Sequence, residues 1–369
     1  MTRSMPSAPP DAPARADRLA ARLAERELDA VLVTHAVNVR YLTGFTGSNA
    51  FAVLADGIRA FLTDFRYVEQ AEEEVPDWER IRGGRNLLDD VAGLLGEGPL
   101  RLGFEAGTLS VDRHAKLRAA LPDRVELVAA SGIVEAEREV KEPEEIERIR
   151  AAAALADAAL LGLLEEGLVG RTEREAAWAL ERGIRERGAE AVSFEPIVAA
   201  AAHGALPHAQ PRDVPIPRDT LLVVDWGARL DGYCSDCTRT LATGEGVDPD
   251  ALAVYALVER AQAVGLEGAM AGVTNVDADA RARAVIEDAG RGELFGHGLG
   301  HGVGLEVHEG PTLSNKAEPR ALVAGNVVTV EPGVYVPGAF GVRIEDLVVV
   351  REGGQDILSS LPKHLTVVD

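Results

Sequence analysis

The stretch that decides the fold of the C-terminal part of this chain is Leu221-Leu-Val-Val-Asp-Trp-Gly-Ala-Arg-Leu-Asp-Gly-Tyr-Cys-Ser-Asp-Cys-Thr-Arg-Thr240. Asp231-Gly232 lies between two largely apolar runs, and this dipeptide is a strong signal for a two-residue β-hairpin turn. The turn would place Leu230 opposite Tyr233, and each residue before the turn would then pair with the residue equally far after it. The sequence therefore predicts an antiparallel hairpin over residues 220–243.

The predicted hairpin carries two aspartates on buried strands. In this register Asp225 lies opposite Thr238, and Asp236 is two residues further along, a shift that stays on the same face. Two like charges that are diagonal neighbours need a cation, a proton or an arginine between them. Arg239 is the nearby arginine, but its strand parity is opposite to that of Asp236, so we expect it to point to the other face.

Three of the eight histidines of the chain fall within twelve residues of a glycine-rich segment. This segment reads Gly296-His-Gly-Leu-Gly-His-Gly-Val-Gly-Leu-Glu-Val-His-Glu-Gly-Pro311. Its alternating glycines let the backbone bend tightly and let other groups approach closely. A lone histidine is usually a surface or core residue, but three in such a segment favour metal ligation or proton transfer. His297, His301 and His308 are therefore candidate site residues.

Two further carboxylates interrupt apolar strands. Glu331 follows Val327-Val-Thr-Val330, and Glu345 follows Gly341-Val-Arg-Ile344. A buried salt bridge, for instance with Arg343, is the alternative explanation for each glutamate. The two aspartates also have no predicted partner, so one cation site shared by all four carboxylates is a simpler explanation than separate salt bridges.

The combined ligand set contains four carboxylates and one imidazole. Oxygen-rich sites of this kind suit Mn²⁺ or Co²⁺ better than structural Zn²⁺. Four carboxylates are too many negative charges for one divalent ion, so we expect two ions that share bridging carboxylates. The expected ligands are Asp225, Asp236, His301, Glu331 and Glu345.

The rest of the chain predicts two domains, as its 369 residues also suggest. Residues 1–15 are expected to be a disordered tail. Residues 16–138 mix predicted helices (17–28, 91–95 and one after Asp64) with predicted strands (29–34, 51–54, 59–63, 101–104), which is typical of an α/β domain. Residues 139–369 are expected to form an α+β domain, with Pro143 opening one helix and Thr172 capping the next through Glu175.

Composition excludes several classes of partner. The net charge of −22 repels nucleic acid and anionic membranes. No apolar run is long enough to span a membrane, and the first residues lack the apolar region of a secretory signal, so we expect a cytoplasmic protein. Cys234 and Cys237 form a C-x-x-C motif that can mark redox chemistry or half a zinc site, but two buried thiols explain it as well.

These residues resemble a known family, the pita-bread metallopeptidases, which includes aminopeptidase P, prolidase, creatinase and methionine aminopeptidase. The resemblance rests on the two aspartates eleven residues apart, the histidine segment, Val330-Glu-Pro-Gly333 and Arg343-Ile-Glu-Asp346. In the first half, residues 38–48 (NVRYLTGFTGS) and 63–67 (TDFRY) look like the creatinase-type N-terminal domain of aminopeptidase P and prolidase. Methionine aminopeptidases normally lack that domain, and creatinase lacks the metal ligands.

The resemblance implies a role for each site residue. Asp225 would be a terminal ligand of one metal, Asp236 and Glu345 would bridge both, and His301 and Glu331 would complete the other. Further implied roles concern the substrate: His208 and His308 would stabilise the intermediate, His297 would lie near the scissile bond, Glu331 would move a proton, and Arg343 would be an outer or carboxylate-binding residue. His203 is expected to be structural.

The resemblance also implies the activity. We expect an Xaa-Pro aminopeptidase with two divalent metals, Mn²⁺ before Co²⁺ or Zn²⁺, which acts on proline-containing peptides as a homodimer or larger oligomer. One alternative is an Xaa-Pro dipeptidase, which uses the same chemistry. The other is a non-catalytic binding module that retains the fold, although clustered buried carboxylates more often mark a working site.

Overall fold

The computed structural model describes residues 12–369 and divides the chain into two compact units, one ending at Arg138 and one running from Glu139 to Asp369. The expected tail lies outside the described residues up to residue 11. Residues 12–15 are not part of a tail, because the first helix begins at Ala12 and ends at Ala21. The predicted helix over residues 17–28 is therefore shifted towards the N-terminus, and only a short 3₁₀ turn, Ala24–Arg26, follows it.

The N-terminal unit is an α/β domain, as predicted. Its sheet has the strand order β4-β3-β2-β1-β5-β6, in which β1 is antiparallel to β2 and parallel to β5. The strands are β1 (Ala30–Val33), β2 (Ala50–Ala55), β3 (Ile58–Thr63), β4 (Glu79–Arg82), β5 (Leu100–Phe104) and β6 (Val125–Ala129). The helices are α1 (Ala12–Ala21), α2 (Ala36–Thr43), α3 (Val68–Glu74), α4 (Val111–Ala120) and α5 (Glu135–Arg138).

The apolar runs of the sequence account for this sheet. All four residues of β1 are buried, which is why the run reads as continuous rather than alternating. Leu32 packs with Val53 and Leu102 of the neighbouring strands in one hydrophobic core. The stretch predicted to be helical at residues 91–95 belongs to a 3₁₀ segment, Leu87–Leu94, which contributes to the same core.

The C-terminal unit places two helix pairs against strands. The helices are α6 (Pro143–Glu165), α7 (Glu173–Glu186), α8 (Pro249–Gly268) and α9 (Asn275–Asp288). Pro143 is at the first helical position of α6, and Thr172 with Glu175 forms the capping box of α7, so both predicted helix starts are confirmed.

The strands of this unit form several small sheets. They are β7 (Ala191–Val192), β8 (Ile197–Ala200), β9 (Leu221–Trp226), β10 (Ala228–Leu230), β11 (Tyr233–Cys234), β12 (Cys237–Ala242), β13 (Gly300–Gly302), β14 (Glu309–Leu313), β15 (Val327–Val330), β16 (Gly333–Val336), β17 (Phe340–Arg343), β18 (Asp346–Arg351) and β19 (Gly354–Ile357). The strand orders are β11-β10-β7, β12-β9-β8, β14-β13-β15-β18-β19 and β16-β17.

Each helix pair has its own apolar core. Helices α6 and α7 pack on β8, β9 and β12, where Trp226 is fully buried and its indole N–H donates to Ala156 O at 2.9 Å. Helices α8 and α9 pack on β15 and β18 through residues such as Ala282 and Val330. None of the helices in the described part of the chain is long and apolar enough to cross a membrane.

The hairpin has the predicted register but is bent. Leu230 pairs with Tyr233, and Thr238 pairs with Asp225, as the turn residues require. The ladder is interrupted at Gly227, where a Cβ would lie 2.0 Å from Ser235 O. Only glycine allows this close crossing, and the hairpin therefore continues into a different sheet on each side of the break.

The glycines of the histidine segment also allow close approach. A Cβ on Gly300 would lie 2.0 Å from Thr329 O, and one on Gly302 would lie 2.0 Å from Gly310 O. These two positions bring β13 close to its neighbours β14 and β15. His301, which stands between them, is thereby held on β13, between the edge strand β14 and β15.

Candidate metal centre

Three carboxylates from separate elements meet in the C-terminal unit. Asp225 is near the end of β9, Asp236 lies in the break between β11 and β12, and Glu345 lies between β17 and β18. One potential ligand atom of each lies within 4.8 Å of those of the other two, and all three residues are buried. The prediction that the two aspartates project from the same face is confirmed.

A histidine and a fourth carboxylate extend this cluster. His301 Nε2 lies 3.3 Å from Glu331 Oε1 and 3.7 Å from Asp236 Oδ2. The Nδ1 atom of His301 is 3.0 Å from Gly302 O, an arrangement in which Nδ1–H donates and the Nε2 lone pair faces the carboxylates. Asp236 thus stands between Asp225 and Glu345 on one side and His301 and Glu331 on the other.

Two threonines orient the glutamates. The Thr238 hydroxyl donates to Glu345 Oε2 at 2.7 Å, and the Thr329 hydroxyl donates to Glu331 Oε1 at 3.1 Å. Such outer partners hold ligating carboxylates in one orientation. Neither threonine was predicted from the sequence as a site residue, although the strand register places Thr238 opposite Asp225.

Arg343 is the cation nearest the cluster. Its Nη2 atom donates to Asp225 Oδ2 at 2.5 Å, and its Nε atom donates to Thr238 Oγ1 at 3.0 Å. The salt bridge considered for the glutamates is therefore formed with Asp225 instead. One guanidinium does not balance four carboxylates when all of them are ionised.

The electrostatics of the cluster fit a bound cation. Burial, followed by the charges of neighbouring carboxylates, raises the pKa of both Asp236 and Glu345 well above the usual range. Burial also raises the pKa of Glu331. Among the described residues, Asp225 Oδ1 and Glu345 Oε1 are buried oxygens that accept no hydrogen bond. Buried oxygens of this kind are unfavourable without a cation, and this donor set suits hard divalent ions.

All nine predicted site residues line one cavity of about 450 Å³. They are Asp225, Asp236, His301, Glu331, Glu345, His208, His297, His308 and Arg343. His208 and His308 are exposed to this cavity, and the His308 ring lies 4.3 Å from the His301 ring, between centroids. Burial, with a contribution from His301, lowers the pKa of His308, so its imidazole is neutral at physiological pH.

The ring of His297 is held by the protein on both sides. Its Nδ1 atom is 2.8 Å from Gly298 O, and its Nε2 atom is 3.0 Å from the Tyr335 hydroxyl. Arg343 Nη1 in turn donates to the same hydroxyl at 2.9 Å, which leaves the hydroxyl proton for His297. Tyr335 was not anticipated from the sequence, and a catalytic role for His297 stays a prediction.

Arg239 and the two cysteines, which the sequence did not assign to the site, lie away from the cavity. Arg239 points to the opposite face, as predicted, and its Nη2 atom donates to Asp346 Oδ1 at 2.8 Å. Both cysteines are free and buried, and burial raises the pKa of Cys234 to about 11 and that of Cys237 well above its usual range. These protonated thiols fit the structural reading of the C-x-x-C motif.

Comparison with known proteins agrees with this geometry. Residues 147–352 match the sequence profile of metallopeptidase family M24, and residues 15–140 match the creatinase/prolidase N-terminal domain. The chain belongs to metallopeptidase family M24. As a family M24 member it is a metallopeptidase, with a creatinase-like α/β domain followed by a pita-bread domain, and the expected fold class is confirmed.

Related proteins resemble this family M24 chain over nearly its whole length. A protein from Pyrococcus furiosus named Xaa-Pro dipeptidase is 35% identical over 92% of this chain and 96% of its own. The structure of an Xaa-Pro dipeptidase from Bacillus anthracis has a TM-score of 0.93 at 37% identity and covers 97% of this chain and 100% of that one. An X-Pro aminopeptidase from Thermotoga maritima has a TM-score of 0.86 at 36% identity, with 96% and 100% covered.

Proposed function

We propose that this metallopeptidase hydrolyses the peptide bond before proline and releases the N-terminal residue, as an Xaa-Pro aminopeptidase. The observation that carries the hydrolytic part is the group of four carboxylates and one histidine that lines a single cavity. The preference for proline is supported by the names of the relatives from Pyrococcus furiosus, Bacillus anthracis and Thermotoga maritima.

We assign the five residues as ligands of two divalent ions, for which Mn²⁺ is our first choice and Co²⁺ or Zn²⁺ the alternatives. Asp225 would hold one ion, and His301 and Glu331 would hold the other. Asp236 and Glu345 would serve both ions, a role that the position of Asp236 between the two groups supports. When bound, the two ions polarise the scissile carbonyl and lower the pKa of an attacking water.

The residues of the cavity wall account for the other steps. His208 and His308 face the cavity, where they can hydrogen-bond to the oxyanion that forms at the carbonyl. Glu331, oriented by Thr329, accepts the proton of the attacking water and delivers it to the proline nitrogen. This proton transfer matters because the bond before proline is a tertiary amide, whose nitrogen must be protonated before it can leave. The same nitrogen carries no N–H that the enzyme could bind through a hydrogen bond.

The aminopeptidase activity is supported by a second cavity beside the first. It has a volume of about 660 Å³ and shares His297, Gly298 and Ser314 with the wall of the catalytic cavity. We infer that the part of a longer peptide beyond proline is directed towards this neighbouring cavity. The names of the relatives from Pyrococcus furiosus and Bacillus anthracis favour the alternative, an Xaa-Pro dipeptidase.

A length series of substrates tests the proposal. The purified protein, supplied with Mn²⁺, is incubated with Xaa-Pro, Xaa-Pro-Yaa and Xaa-Pro-Yaa-Zaa, and with Xaa-Ala-Yaa-Zaa as the control for proline. We expect the longest proline peptide to be cleaved with the highest kcat/KM. Cleavage of Xaa-Pro alone would establish the dipeptidase, and equal cleavage of the alanine peptide would refute the preference for proline.

The ligand assignment has its own test. Asp236→Ala removes the residue that joins the two ligand groups, so we expect it to abolish turnover and to lower the amount of Mn²⁺ bound. Bound Mn²⁺ is measured by elemental analysis after gel filtration. Normal turnover in this variant would contradict the assignment.

A further inference from the structure

The segment that carries His208 is anchored at both ends by one buried carboxylate. Residues 201–212 follow β8, and His208 with neighbours on this segment lines the catalytic cavity. Glu173 is in the first turn of α7 and is 1% exposed, and it belongs to the same unit of the fold. The sequence offered no reason to single it out, because a glutamate at the start of a helix is common.

The hydrogen bonds to Glu173 come from the two ends of the segment. At the first end, Ala200 N donates to Oε1 at 3.0 Å and His203 Nδ1 lies 2.9 Å from Oε2. At the other end, Arg212 donates from its backbone N at 3.0 Å, and from Nε and Nη2 at 3.1 Å each. One carboxylate therefore closes the segment into a loop.

The charge state of Glu173 fits this role. Burial raises the pKa of its carboxyl, but the hydrogen bonds from Arg212, Ala200 and His203 outweigh burial and lower the pKa overall. Glu173 is therefore ionised at neutral pH, and its hydrogen bonds are charge-assisted and stronger than neutral ones.

The middle of the segment is held from the opposite side. Arg343 Nη1 donates to Pro207 O at 3.1 Å, next to His208. Gly204 packs so closely on β17 that a Cβ on Gly341 would lie 1.9 Å from Gly204 O. With its ends on Glu173 and its middle on β17, the segment has one favoured path over the cavity.

We propose that Glu173 is a positioning residue of the reaction, which acts by holding the segment 201–212 so that His208 faces the scissile carbonyl. The inference rests on the proposed function of His208. None of the five proposed ligands lies on this segment, and Glu173 forms no hydrogen bond with any of them, so metal binding does not depend on it. The residue sets the rate of the chemical step and leaves the metal centre intact.

A double-mutant cycle tests whether Glu173 acts through His208. Glu173→Gln, His208→Ala and the double variant are compared with the wild type on an Xaa-Pro peptide at saturating Mn²⁺. Removal of an oxyanion donor costs about 10²- to 10³-fold in kcat, which we expect for His208→Ala. Misplacing His208 costs less, about 10- to 100-fold, so we expect that loss for Glu173→Gln. The double variant should be no slower than His208→Ala, because the group that Glu173 positions is already gone.

Two further measurements separate positioning from general damage to the fold. Bound Mn²⁺ should be unchanged in Glu173→Gln, and hydrogen–deuterium exchange should accelerate in peptides covering residues 200–212 but not in those covering β15 and β18. Fully additive losses in the cycle, or unchanged exchange of the segment, would overturn the proposal. If His208→Ala itself leaves kcat unchanged, the assigned role of His208 fails, and with it the proposal.

A second pair of variants tests the proposal even if Glu173→Gln misfolds. Arg212→Ala removes one end of the anchor from a side chain that is 46% exposed. Arg185→Ala is the matched control, because Arg185 is on the same helix as Glu173, is 48% exposed and pairs with Glu181 within that helix. We expect Arg212→Ala to lower kcat by about 10-fold and Arg185→Ala to leave it unchanged. Equal kcat values in these two variants would also overturn the proposal.

Discussion

Thr238→Val tests how the metal centre is oriented from the strand beneath it. The substitution keeps the volume of the side chain but removes a hydroxyl that is fully buried. That hydroxyl donates to Glu345 Oε2 at 2.7 Å and accepts from Arg343 Nε at 3.0 Å. The variant therefore frees the carboxylate of Glu345, which we propose as a ligand of both ions, to rotate while every proposed ligand is still present.

The magnitude follows from the bond that is lost. A hydrogen bond to a charged group contributes about 1.5–3 kcal/mol, and each 1.4 kcal/mol is about tenfold in affinity. We therefore expect Thr238→Val to bind Mn²⁺ about 10- to 100-fold more weakly, the range usually found for outer partners of metal ligands. The valine also leaves Arg343 Nε without its acceptor, so the free energy of unfolding should fall by about 1–3 kcal/mol.

The assay is a competition for Mn²⁺ against a chelator of known affinity, combined with urea unfolding. Thr243→Val is the matched control, because Thr243 is equally buried directly after β12 and its hydroxyl donates to Pro217 O at 2.7 Å, away from the cavity. We expect the control to lose stability but to keep wild-type affinity for Mn²⁺. Wild-type affinity in Thr238→Val would refute the reasoning, since Glu345 would then need no orienting partner.

Two further predictions concern charge in the C-terminal unit. Arg239→Met breaks the ion pair of Arg239 with Asp346, whose side chains are 3% and 1% exposed, and should lower the free energy of unfolding in urea by about 3 kcal/mol. Arg229→Met breaks an exposed ion pair and should lower it by less than about 1 kcal/mol, so similar losses in the two variants would contradict the prediction. In metal-free protein, Asp236→Asn should be more stable than wild type at pH 7, because burial and neighbouring carboxylates raise the pKa of Asp236 and its ionised form weakens the fold. That gain should shrink towards pH 4 as the aspartate becomes protonated in the folded protein, and a gain that grows on acidification would show that the sign is wrong.

The fold was predictable where local chemistry is decisive. The Asp231-Gly232 turn determined the register of the hairpin, so Asp225 came to lie opposite Thr238 as expected. The capping box at Thr172 and the proline at 143 likewise determined where two helices begin. The start of the first helix was misplaced because residues 12–16 contain alanines that favour a helix without forming a clear amphipathic pattern.

The sequence by itself determined which carboxylates and histidines are candidate ligands, because charged groups inside apolar strands are unfavourable unless a cation or partner is present. Only the tertiary structure determined which side chains pair with each other. Arg343 bonds Asp225 rather than a glutamate, Tyr335 engages His297, and Glu173 anchors the segment of His208. Each of these pairs joins side chains from elements that are far apart in the chain. The alternation of side chains along a strand describes only one hairpin, so it does not predict which distant elements come into contact.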